Sequence, residues 1–210
     1  MPAGRGYDDR VFINCPFDDD FQPIFRAIVF AVHDCGFVAR SALEQSGSET
    51  VRLSKIEAII EESRLSIHDV SRTELDTGSG LPRFNMPLEL GVVLGARRFG
   101  TARHKRKACL VLDRERFRYQ AYLSDLSGQD IGCHRGRPEV AIQVVRDWLS
   151  HHTPEDVMLP GPAMMVKRHR AFVADLPLLL EEVHIEPGEL IYNDYTTLLV
   201  NWLALNPWGV

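Results

Sequence analysis

The sequence predicts an α/β domain built on a mostly parallel sheet with helices on both faces, extended at its C-terminal end by further helices. Three observations predict it. Short apolar runs alternate with stretches whose apolar residues recur at helical spacing. Gly and Pro punctuate the junctions between them. After Thr153 the texture changes, with Pro154, Pro160, Gly161 and Pro162 breaking the chain before a denser apolar segment. A chain of 210 residues holds one domain of ordinary size and an appendage, set here at residues 8–152 and 153–210.

Val11 to Cys15 is an apolar run ended by Pro16 and predicts a buried first strand. Asp18, Asp19 and Asp20 then offer capping carboxylates to a helix marked by Phe25, Ile28, Val29 and Val32, which stops at Gly36. Phe37 to Arg40 is a second strand, and Leu53, Ile56, Ile59 and Ile60 mark a second helix. Arg64 to Val70 is a third strand, Met86 to Arg98 a third helix and Ala108 to Leu112 a fourth strand, while Val140, Val144, Val145 and Trp148 carry another helix. Beyond Thr153, Met164, Met165, Phe172, Leu176 and Leu178 to Leu180, then Ile191 to Leu205, read as added helices that pack back on the domain or mediate self-association.

Composition narrows the function classes. At 45% hydrophobic and 25% charged residues the chain is a folded globular protein, and no apolar run approaches the ~20 residues a bilayer crossing needs. No secretory signal is expected at its start, and four scattered cysteines read as reduced thiols, so a cytoplasmic location is expected. A net charge of −5 argues against nucleic acid as a partner. The basic run Arg97 to Lys107 falls at the edge opposite the predicted ligand site and reads as cations favoured near a helix C-terminus.

Parallel sheets of this kind bind ligands beyond the carboxyl ends of their strands, which points to the loops after Cys15, Arg40, Asp69 and Leu112. The loop after the third strand leads into Asn85-Met-Pro-Leu-Glu89-Leu-Gly91. Asn85 suits an N-cap and Pro87 suits a first turn, so Glu89 falls about one turn into the helix, at the ligand edge. It is the only charge between Arg83 and Arg97. Among apolar neighbours its carboxylate should be desolvated and its pKa raised toward the range of acid or base work. The plainer reading is a carboxylate placed well near a helix N-terminus and paired to Arg83 or Arg72. Gly91 and Gly95 are expected to permit close packing of this helix.

Asp69 ends the third strand, so its carboxylate is expected to face the same crevice, where two carboxylates suit cleavage of a glycosidic bond through an oxocarbenium-like state. Capping of the following turn is an almost equal reading. Phe17 has two readings, stacking on a nicotinamide or nucleobase and packing over the core, with packing narrowly favoured. The adjacent aspartates are read as helix-start residues, with no metal expected. Arg72 and Arg83 suit a phosphate or pyrophosphate, with solvated surface arginines an equal alternative. His68 points to the face opposite Asp69 and is read as a core or surface histidine. Cys133 and His134 complete no metal set or nucleophile triad, so Cys133 is read as a free thiol.

Asn85-x-x-x-Glu89-Leu-Gly91, following an apolar strand that ends in Asp69, resembles the motif of the Toll/interleukin-1 receptor (TIR)-like nucleotide-binding domains of bacterial defence systems, and is similar to that of nucleoside 2-deoxyribosyltransferases. Leu123-Ser124-Asp125-Leu-Ser-Gly128 resembles a second block of the TIR-like group. The resemblance spans roughly Arg10 to Ser150. It implies a flavodoxin-like fold and hydrolysis or transfer at the N-glycosidic bond of NAD or a nucleoside, the leading reading being an N-glycosidase with NAD as substrate and no cofactor. Glu89 carries over as the catalytic glutamate, Asp69 as a ribose or pocket contact, and Ser124 and Asp125 as a loop near the site. The first loop, Asn14-Cys-Pro-Phe17-Asp18, is less like either family's and holds Asn14 and Phe17 as further candidate contacts. The resemblance also implies an antiphage role, a homo-oligomer and a defence-system partner protein. Two alternatives stay open: a nucleoside or nucleotide glycosidase or 2-deoxyribosyltransferase, and a module that binds a nucleotide-like signal without turnover.

Overall fold

The computed structural model describes residues 6–44, 52–75, 78, 80–82, 84–126 and 131–208. Five parallel strands form one sheet in the order β2-β1-β3-β4-β5. They are β1 (Arg10–Asn14), β2 (Val38–Arg40), β3 (Leu65–Asp69), β4 (Ala108–Asp113) and the short β5 (Gly132–Cys133). The helices are α1 (Gln22–Asp34), α2 (Arg52–Glu62), α3 (Asn85–Phe99), α4 (Pro138–Ser150), α5 (Pro162–Glu182) and α6 (Tyr192–Leu205). This strand order is that of a flavodoxin-like sheet, and the expected α/β class holds.

Alternation along the strands sorts the two faces. Val11, Ile13, Leu65, Ile67, Leu110 and Leu112 point toward α1 and α4, while Phe12 and Val111 meet α2 and α3 on the other side. Six consecutive α1 residues, Ala27 to Val32, are fully buried. A helix can bury every side only when it is covered on both. The sheet covers α1 on one side, and Phe172 of α5 with Tyr195, Leu199 and Trp202 of α6 cover it on the other. The C-terminal helices therefore complete the same core. Gly36, at φ +86°, ends α1, with its N–H bonded to the His33 carbonyl and that of Phe37 to the Val32 carbonyl. A left-handed residue at this point suits glycine.

Three local expectations are corrected. Asn85 is the first residue of α3 and Phe84 occupies the N-cap position, without a side-chain cap. The aspartates before α1 do not cap it by side chain: the Asp18 carbonyl accepts the Phe21 and Gln22 N–H groups at 3.0 and 3.2 Å, a backbone turn that does the same task. Gly91 and Gly95 do not serve close packing: among the described residues, beyond the helix's own backbone and their chain neighbours, a Cβ at either would meet no atom within 4 Å. The buried stripe of α3 is instead Met86, Glu89, Leu90 and Val93. Among the described residues no helix is long and apolar enough to cross a membrane.

Candidate functional site

The chain runs from β1 outward to β2 and returns to β3 on the other side of β1, so the crevice between the carboxyl ends of β1 and β3 is the switch point of the sheet. A cavity of about 390 Å³ lies there, lined by the loop after β1 (Asn14 to Asp18), by Arg52 at the start of α2, by Arg72 after β3, and by Asn85, Met86 and Glu89 on α3. Its size falls within the range of about 300 to 1,000 Å³ typical of small-ligand sites. A larger cavity of about 540 Å³ lies between β2 and α6. There the charges, Arg40 and Glu44, are spent on each other at 2.8 Å.

Glu89 is the chemical centre of the crevice. The apolar stripe of α3 carries it inward until only 7% of its surface remains exposed. Burial pushes its carboxyl up from the ordinary 4.5 to about 7, against a smaller downward pull from the Arg52 guanidinium. A group poised at that value exchanges its proton near neutrality, as a general acid or base requires. Asn14 holds the helix that carries it. Its Nδ2 donates to the Met86 carbonyl in the first turn of α3 and to Nδ1 of His68, each at 3.0 Å. His68 is fully buried, and burial lowers it from 6.5 to about 3, so it stays neutral and accepts this bond.

Phe17 lies at the cavity wall and also packs edge-on against Phe25, with ring centroids 5.5 Å apart. Arg72 stands 3.6 Å from the Asp18 carboxylate. Cys15, at the floor, is fully buried, and burial with the carboxylates of Asp69, Glu89 and Asp18 around it drives its thiol well above its usual range, so it remains protonated.

Other expected members stand elsewhere. Asp69 shares the β3 face of Leu65 and Ile67, opposite the face that α3 covers, so its carboxylate does not line the cavity with Glu89. Period-two alternation is the reason, as it is for His68 beside it. Oδ1 of Asp69 accepts the Ser71 N–H at 3.0 Å and the Ser71 hydroxyl. Its Oδ2 lies 3.0 Å from Nε2 of His134, near enough for an ion pair but out of line for a hydrogen bond. The Gly136 N–H donates to Nδ1 of His134, so the proton of a neutral ring sits on Nε2, toward Asp69. Ser124 and Asp125 are exposed on a turn whose Leu123 and Leu126 pack beside Leu90, and they do not reach the cavity. Arg83 and Gly128 lie outside the described residues.

After β4, the described residues 114–126 are tied back to the end of the strand. Arg118 donates through Nε and Nη2 to Oδ1 of buried Asp113 at 3.0 and 2.7 Å, and through Nη1 to Thr73 Oγ1 at 2.7 Å. Arg118 thus ties Thr73 after β3 to the chain after β4.

No family model matches this chain, and no curated protein matches it significantly. The site is thus defined by its own geometry. Arg52 is the member that reading the sequence missed. The crevice rule had pointed to the loop after Arg40, but a lone arginine opening an amphipathic helix carries no signal of what lies across from it.

Proposed function

We propose that this protein cleaves the nicotinamide–ribosyl bond of NAD, with Glu89 as the catalytic carboxylate. The observation that carries the reading is a buried glutamate poised near neutrality in a cavity whose walls hold two arginines and one aromatic ring. Departure of nicotinamide leaves positive charge on the ribosyl carbon, which an ionised Glu89 stabilises while water attacks. The same carboxylate then accepts the proton released by that water. Arg52 and Arg72 supply guanidinium forks for the pyrophosphate, and Phe17 a face for the departing ring. Two arginines favour a phosphorylated substrate over a free nucleoside, which has no anion for them to hold. An antiphage role belongs to the same reading and rests on the motif resemblance.

The deciding measurement is nicotinamide release from NAD by the wild type and by Glu89→Gln, at several protein concentrations, with nucleosides in parallel. Wild-type release that falls at least a hundredfold in the variant is expected, since general acid–base groups contribute roughly that much or more. Dependence on concentration would add self-association as the trigger. Equal NAD binding by both proteins with no release at any concentration overturns the enzyme and leaves a nucleotide sensor.

A further inference from the structure

A second cavity lies on the other side of the α1 start. It measures about 470 Å³ and is walled by the first turns of α1 and α4, the middle of α5 and Tyr195 of α6. It shares no lining residue with the Glu89 crevice. Pro23, Pro138, Val173, Leu176 and Tyr195 give it an apolar body. Such a concave, mostly apolar space with a few convergent polar groups has the ordinary form of a small-ligand site.

Two polar residues on its wall make no ion pair among the described residues. Arg26 lies 5.3 Å from the centroid of the Tyr195 ring, and no carboxylate among the described residues pairs with its guanidinium. His169 is 8% exposed and its Nε2 has no hydrogen-bond partner among the described residues. Burial holds its ring at about 4, below the usual 6.5, so the wall it forms is neutral near pH 7. The other cation, Arg170, is engaged by Glu139 at 3.2 Å. Asp19 on the rim disfavours a second negative charge. A cation without a carboxylate partner, lying over an aromatic ring beside an apolar body with a neutral wall, selects one kind of molecule.

From this we infer that the cavity between α1, α4, α5 and α6 is a second binding site, for a small organic monoanion whose flat apolar body lies against Val173, Leu176 and Tyr195 and whose anionic group is held by Arg26. The site stands independently of any turnover at Glu89. Its ligand does not compete with a nucleotide in the crevice.

The test uses 8-anilinonaphthalene-1-sulfonate and its uncharged counterpart N-phenyl-1-naphthylamine, titrated by fluorescence against the full chain. The expected result is saturable binding at one site, with the sulfonate tighter than the neutral dye by about tenfold or more, the worth of a bond to a charged group. Arg26→Gln should erase that difference, and Val173→Trp should abolish binding of both dyes by filling the cavity. Thr196→Trp, in the groove between β2 and α6, should change neither. Far-UV circular dichroism checks that each variant folds. The inference is overturned if the neutral dye binds as tightly as the sulfonate, if Val173→Trp and Arg26→Gln leave binding unchanged, or if binding fails to saturate at one site.

Discussion

Glu89 shows how one buried side chain couples stability to pH. Its folded pKa of about 7 lies above the ordinary 4.5, so the folded state prefers the protonated form. The stability this affords is fully present below about pH 4.5 and is lost as pH rises through 7, because the buried carboxyl must then ionise. Glu89→Gln removes the ionisation. The variant is therefore expected to match the wild type near pH 4.5 and to be more stable at pH 8, by on the order of 2 kcal/mol, as thermal unfolding across that range would measure. Arg52 acts on the same group from across the cavity. Loss of its charge in Arg52→Gln raises the Glu89 pKa further, so under the proposed NAD cleavage the pH profile of turnover moves to higher pH. The KM for NAD should rise about tenfold as one charge-assisted bond is lost, and steady-state kinetics across pH reads both effects.

At the scale of elements, α3 is a helix with a crowded side and an empty one. Met86, Leu90 and Val93 bury the face that positions Glu89, and Asn14 ties the first turn to β1. The outer face carries Gly91 in open space. A glycine inside a helix costs about 0.5 to 1 kcal/mol relative to alanine, because its unfolded backbone is freer. Gly91→Ala is expected to stabilise the protein by that amount, with urea unfolding as the measurement. The substitution touches neither the cavity nor the core, so it should leave substrate affinity unaltered.

For the whole molecule, the decisive relation is the docking of α5 and α6 on α1. Apolar contact supplies most of it, through Phe30, Phe172 and Trp202. A buried ion pair fixes its register. Arg168 of α5 donates through Nε and Nη2 to Asp34 of α1, with Nη2 2.9 Å from Oδ1, and through Nη1 to the Asn206 carbonyl beyond α6 at 2.6 Å. One guanidinium thus joins three segments. Arg168→Ala leaves Asp34 buried and uncompensated and should cost about 3 to 5 kcal/mol. Chemical denaturation of the full chain would measure it, and a matching loss in Asp34→Ala would assign the cost to the pair.

Apolar periodicity alone determined the α/β class and the succession of the first four strands with their helices, because a strand buried on both faces and a helix buried on one leave different spacings in the chain, whereas the two-residue β5 is too short to leave any such pattern and was missed. It also determined that Glu89 is an isolated charge on an apolar helix at the ligand edge, from which a raised pKa follows. Tertiary structure decided what faces what. Asp69 leaves the Glu89 side because its register assigns it to the face of Leu65 and Ile67. Asn14 proves to be the tie between β1 and α3, and His134 the neighbour of Asp69, across separations the local sequence cannot encode. Arg52 reaches the cavity only because β2 lies beside β1. Such pairings depend on strand order and on the packing of distant elements, whereas a local pattern records only whether each residue will be covered.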